Sequence, residues 1–241
     1  KLRVGAFNGG MSEVMMQPMA DYVVAKGGEI RTNSPVEALL VEDDSVRGVV
    51  VRGRKIKGEH VILAASLRSA QRLISKSLKH HEWFADMLKL PTMPAVTFQM
   101  ELTKPSMELD RTTFGPQTAL ASFAEQSRTT FRGSAGRLSV ILATPDTYIA
   151  MPPADILDIV VRDARRLGIE LEDIVKDYRK IIWQHDFYSL EPNHEYLRPS
   201  QRTPIPGLTL AGDYTKQPYL ATMEGATVSG KIASSIVLGQ Q

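Results

Sequence analysis

The chain has 241 residues, 43% hydrophobic and 23% charged, a balance that excludes a disordered tail, a collagen-like repeat and a small disulfide scaffold. Lysine and arginine number 29 against 27 acidic residues, a formal charge of +2, and no run of basic residues concentrates the excess, so nothing points to nucleic acid as a partner. Cysteine is absent, which removes disulfides, thiolate chemistry and cysteine metal ligands and fits a cytoplasmic location.

No apolar run reaches the ~18 residues that span a bilayer, and the length leads us to expect two domains. A start at Lys1-Leu2-Arg3, lacking both an initiator Met and a signal-peptide core, suggests the later part of a longer polypeptide.

In chain order, Met15, Met16, Met19, Val23 and Val24 recur at helical spacing, so a helix is expected from Ser12, as its cap, to Lys26, closed by Gly27-Gly28. Pro18 falls near the first turns, where a missing N–H costs least. Short β-rich runs follow at Ile30–Thr32, Val36–Val41, Val46–Arg52 and Val61–Ala65, with turns at Asp43-Asp44 and Gly53. A helix is expected from Leu67 to about Leu78. Val96 to Leu102 alternates strictly, and with Ala119–Phe123 and Leu138–Leu142 it predicts an antiparallel sheet with one apolar face. Asp155 to Leu167 reads as an amphipathic helix closed by Gly168, and Ile181 to Tyr188 as a strand. Four prolines between Glu191 and Pro206 predict extended loop. A short strand at Leu208–Leu210 and a helix from about Thr222 to Leu238 complete the chain.

Several apparent motifs fail on inspection. Gly225 to Lys231 has the spacing of a phosphate-binding loop, but Ile232 stands where a Ser or Thr must ligate magnesium, and the run patterns as helix body. His60, His80, His81, His185 and His194 show no metal-ligand spacing, so no metal site is expected. Ser134 lacks the upstream glycine of a nucleophile elbow. The C-terminal block differs: Ala211-Gly212-Asp213 ends a strand, and Met223-Glu224-Gly225-Ala226 opens a helix after a loop. That order places free backbone amides and a positive dipole end where an anionic ligand could sit, although an ordinary helix cap would look the same.

The run Ala211 to Gln217, then Tyr219-Leu220, Met223 to Ala226 and Ser229-Gly230-Lys231, resembles the C-terminus of the FAD-dependent amine oxidase superfamily. Within it, the chain most resembles the plant and cyanobacterial type of phytoene desaturase. Gly27 to Ser34 is similar to that family's GGEVRLNS segment, and Leu197 to Pro204 to its CRPLQRSP segment. Residues 75 to 180 agree only in the order of elements. Zeta-carotene desaturases share part of the pattern.

The resemblance implies an α/β (α+β) flavoprotein of the Rossmann-like, glutathione-reductase type with an inserted antiparallel substrate domain. The FAD part would be 1–74 with 205–241, and the substrate part 75–204. No G-x-G-x-x-G fingerprint occurs in the chain, so weak or no FAD binding by this chain alone is expected, as is self-association through apolar surface between Val36 and Ala65.

By the same resemblance the backbone of Val36 would meet the adenine of FAD, and Ala64 and Ala65 would end the strand that returns to the cofactor. Gly212 and Asp213 would serve the ribityl or pyrophosphate region, and Met223, Glu224, Gly225 and Ala226 the flavin edge. Arg31, Tyr188 and Leu220 would belong to a quinone or carotene pocket; a surface residue, a core aromatic and plain packing are the alternatives for these three. The implied reaction is desaturation of a lipophilic polyene, with a quinone acceptor, docking on a membrane surface and no assigned catalytic base. Another superfamily oxidoreductase (amine oxidase, protoporphyrinogen oxidase, hydroxysqualene dehydroxylase) and a non-catalytic binding module are the rivals.

Overall fold

The computed structural model describes residues 7–239. Its elements are a π-helical turn (Ser12–Met16), α1 (Gln17–Ala25), β1 (Val36–Glu42), β2 (Ser45–Val51), β3 (Arg54–Lys57), β4 (Val61–Leu63), α2 (Leu67–Ser77), α3 (Ala85–Lys89), β5 (Thr92–Leu102), β6 (Thr112–Phe114), β7 (Leu120–Glu125), β8 (Gly136–Leu142), α4 (Asp146–Ile149), α5 (Pro153–Arg166), β9 (Val175–Tyr188), β10 (Leu208–Leu210) and α6 (Met223–Val237). The described residues form two compact units: 7–30 with 94–183, and 31–93 with 184–239. The expected division by ligand, 1–74 with 205–241 against 75–204, does not follow these boundaries and stays a proposal about which residues meet cofactor and which meet substrate.

In the second unit β1, β2 and β3 form an antiparallel meander, and β4 pairs in parallel with β10, Leu208 opposite Val61 and Leu210 opposite Leu63. The amphipathic face of α2 buries Leu67, Ala70, Leu73 and Ile74 in a core shared with Leu39, Val46, Phe84, Met87, Leu208, Leu210 and Tyr214. Gln71 is buried among them because its amide donates to the carbonyls of Met87 and Leu90, at 2.9 and 2.8 Å, closing the turn after α3.

In the first unit the strand order is β6-β7-β8-β5-β9. The alternation of β5 is obeyed: Val96, Phe98, Met100 and Leu102 are fully buried and the residues between them are not. They pack with Leu138 and Val140 of β8 and with Ile156, Val160 and Ala164 of α5. Asp163, on the buried side of α5, accepts the Ala119 amide at 2.8 Å and pins the helix to the start of β7.

Three local expectations are corrected. Ser12 does not cap the first helix: the helix opens on a π turn in which the Gln17 amide reaches the Ser12 carbonyl, just before Pro18, which has no N–H to donate. Ile30–Thr32 is not a strand, since Asn33 at φ +52° turns the backbone there. The last long strand starts at Val175, not Ile181.

Candidate functional site

The parallel pairing of β4 and β10 brings their carboxyl ends out at one edge, the place where open α/β sheets bind ligands. The Ala211 amide continues the ladder by donating to the Leu63 carbonyl at 3.0 Å. Ala64-Ala65 and Gly212-Asp213 therefore emerge side by side.

Beside β4 lies an apolar cleft of about 370 Å³ lined by Val36, Leu39, Leu63, Ala64, Ala65 and Arg72, among others. Three of the expected cofactor residues thus share one wall. Arg72 brings a basic side chain to the same cleft, available to a phosphate-bearing ligand.

After β10 the chain turns sharply. Gly212 has φ +148°, and a Cβ there would come within 2.5 Å of the Tyr214 ring. Its amide donates to Ser229 Oγ at 3.0 Å, and Ser229 Oγ lies 2.7 Å from Thr215 Oγ1, tying the turn to the middle of α6. Asp213 is half-buried. Burial raises its pKa above the ordinary aspartate value, against the opposing pull of backbone amides at Tyr214 and Asp213 and of the Arg198 charge. Gln217 donates to the Asp213 carbonyl at 2.9 Å and accepts the Tyr219 amide at 2.6 Å.

The start of α6 is built against that same glutamine. A Cβ on Gly225 would lie 2.6 Å from Gln217 Nε2 and 2.8 Å from the Leu220 carbonyl, so only glycine fits. Thr222 Oγ1 accepts the Gly225 amide at 3.1 Å. Among the described residues the amides of Met223 and Glu224, at the positive end of the helix, have no acceptor. Met223, Glu224 and Ala226 are exposed, and Gly225 is buried.

The other expected residues are placed differently from one another. Tyr188 is 2% exposed, with the Arg198 guanidinium 4.8 Å above its ring and its hydroxyl without a hydrogen-bond partner among the described residues. Burial raises its pKa, and the charge of Asp213 reaches it. Leu220 is 64% exposed in the bend before α6. Arg31 is exposed in the link between α1 and β1 and does not line the apolar cleft. Arg198, Gln201 and Ser229 are the residues whose importance was missed. The signal for the first two was their position astride Pro199 in a segment already recognised as similar to a family motif.

Among the described residues no group of histidines and carboxylates could hold a metal ion, and no helix is long and apolar enough to cross a membrane.

Residues 2–238 match the family described as flavin containing amine oxidoreductase. The chain is similar to 15-cis-phytoene desaturase of Solanum lycopersicum, 28% identical over 248 residues that cover 98% of this chain and 42% of that protein. The corresponding protein of Synechococcus elongatus is 26% identical over 249 residues, covering 97% of this chain and 52% of its own length. Zeta-carotene desaturase of Arabidopsis thaliana is 25% identical over 250 residues, covering 91% of this chain and 45% of that protein. The chain therefore spans about half the length of these relatives.

Among solved structures, an oxidoreductase from Methanosarcina mazei superposes with a TM-score of 0.70 at 17% identity, covering 92% of this chain and 53% of that one. A putrescine oxidase double mutant gives 0.67 at 16% identity, covering 93% and 53%. These likenesses show the fold. With the family match running almost end to end and the strand-end and helix-start geometry in place, the chain belongs to the flavin containing amine oxidoreductase family.

Proposed function

We propose that this chain is part of a flavin-dependent desaturase acting on a carotene such as phytoene. The observation that carries the reading is the similarity to phytoene desaturase over 98% of the chain, which takes in the turn at Gly212–Gln217 and the start of α6. The residues present suit FAD. An apolar wall at Val36, Ala64 and Ala65 matches a flat heteroaromatic ring, with Arg72 beside it for negative charge. The uncapped amides of Met223 and Glu224 match an electron-rich ring edge.

When bound, FAD supplies the acceptor for a hydride from an allylic carbon of the polyene, while a proton leaves the neighbouring carbon. The protein's contribution is position and electrostatics. Asp213 is held where it can accept hydrogen bonds from a polyol or ribose, and α6 presents its dipole. Tyr188, buried and aromatic, supplies apolar surface rather than a proton path. A quinone as electron acceptor, docking on a membrane surface and self-association through the apolar strands belong to the same proposal.

One observation favours a second reading, an oxidase of a polar substrate. The face of the five-stranded sheet away from α5 carries a polar cleft of about 210 Å³ lined by Gln99, Glu101, Arg137, Asp177 and Arg179 among others. Anaerobic mixing of the full-length flavoprotein with phytoene in lipid vesicles, or with putrescine, separates the two. Bleaching of flavin absorbance by phytoene, with a more conjugated product, is expected. Bleaching by the amine alone would replace this reading with the second.

A further inference from the structure

The guanidinium of Arg198 is 3% exposed and its donors are fully used. Nε donates to the Tyr214 carbonyl at 3.3 Å, and Nη2 is shared among the carbonyls of Asp213, Thr215 and Gln217 at 3.3, 2.5 and 3.4 Å. Nη1 grips the Glu195 carboxylate at 2.8 and 2.9 Å. The remaining carbonyl of the run, Lys216, is taken by Gln201 Nε2 at 2.8 Å, and the same amide donates to Thr215 Oγ1 at 3.0 Å. Five consecutive carbonyls, Asp213 to Gln217, are thus drawn to one side by two side chains. Stability alone does not call for a charge here, because a buried cation is costly and a well-packed apolar side chain often does as well.

We infer that Arg198 is a positioning residue for the flavin site, acting through the Asp213–Gln217 turn to set where Asp213 and the first turn of α6 meet the cofactor. The inference rests on the reading of that edge as the FAD site. The link runs from the guanidinium to the turn carbonyls, from the turn to Gln217, and from Gln217 to Gly225, which packs directly on its amide. A lysine in the same place offers a point charge in place of a planar fork and cannot hold this spread of carbonyls.

The charged groups around Asp213 are Arg198, which favours its ionised form, Asp186 of β9, which opposes it, and the exposed Lys216. Glu195 and Asp213 both act on the intervening Tyr188, and Tyr214 adjoins on the chain. Removing the cation therefore moves the protonation of Asp213 to higher pH. Removing the Glu195 charge, which partly neutralises that cation, moves it to lower pH.

The test is the pH profile of FAD binding, read by flavin fluorescence in the full-length protein, which does not depend on which substrate is oxidised. Arg198→Met and Arg198→Lys are expected to weaken FAD binding about tenfold to hundredfold and to shift the acid limb of the profile upward for the methionine variant. Glu195→Gln, a change at an exposed carboxylate, is expected to shift that limb downward, which keeps the test open should the arginine variants not fold. Asp213→Asn should flatten it.

FAD affinity unchanged in Arg198→Lys, or an acid limb that Glu195→Gln leaves in place, would overturn the inference. Phytoene left unoxidised while these shifts appear would count against the proposed reaction alone.

Discussion

At Gly225 the margin for a side chain is negative, and the substitution Gly225→Ala has to push Gln217 or the Leu220 carbonyl aside. Overpacking of this kind costs about 1 to 3 kcal/mol. The expected outcome in the full-length protein is a lower melting temperature together with weakened flavin retention, checked by calorimetry and absorbance. In the full-length protein Asp213→Ala should weaken FAD by about tenfold to hundredfold, the worth of one charge-assisted hydrogen bond, measured by fluorescence titration.

Glu125 makes a separate case in the first unit. It is 1% exposed and accepts from Ser106 N and Oγ, both at 2.8 Å, from Ser127 N at 3.2 Å and from Arg137 N at 2.8 Å. Burial pushes its pKa up, and these hydrogen bonds outweigh that and hold it below the ordinary glutamate value. A carboxylate whose folded pKa is depressed lends stability above its unfolded pKa and loses it as pH falls through the folded one. Glu125→Gln is therefore expected to flatten the acid side of the stability-versus-pH curve. A curve of unchanged shape in urea titrations would contradict it.

Side chains were only partly legible in the sequence. Gly212 and Gly225 were identified within a motif, but the reason each must be glycine is a contact with Tyr214 or Gln217. Arg198 fell within a run similar to a family motif, but nothing in local spacing tells a buried guanidinium from an exposed one.

Among the elements, the amphipathic ones were readable. β5 and β8 alternate, and α2 and α5 carry apolar stripes, because each buries one face against a core of its own unit. Two short pieces were not readable: β3 at Arg54–Lys57 has one partly buried residue in four, and β6 at Thr112–Phe114 has none fully buried. Their pairing is set by neighbours, β2 and β7, rather than by their own pattern.

α1 shows the opposite failure. Its apolar residues are spaced for a helix, yet none is buried, with Met19 at 54% and Tyr22 at 65% exposure. For α6 the start near Thr222 was legible, and the structure shows that Thr222 is its cap. Thr222→Ala should cost about 1 kcal/mol, read from the urea midpoint, and a loss of flavin beyond that would show that the cap also orders the amides of Met223 and Glu224.

At the scale of the molecule, each unit has a complete core of its own, one centred on Leu73, Ile74, Phe84 and Leu210, the other on Phe98, Leu138, Val140 and Ile156. Truncating Phe98→Ala, a fully buried ring, is expected to cost about 3 to 5 kcal/mol, unfolding the first unit in calorimetry before the second.

The family was legible because its motifs are local runs at the strand end and helix start. The division into units was not, because residues 31–93 and 184–239 are joined through contacts far apart in sequence, such as the pairing of Leu208 with Val61.

The central claim is that the carboxyl ends of β4 and β10 and the first turn of α6 hold the flavin. Hydrogen exchange of the full-length protein with and without FAD tests it directly. The account predicts slowed exchange at residues 63–65, 211–217 and 222–226 when FAD is bound; protection confined to residues 94–183, or none at the strand ends, would contradict it.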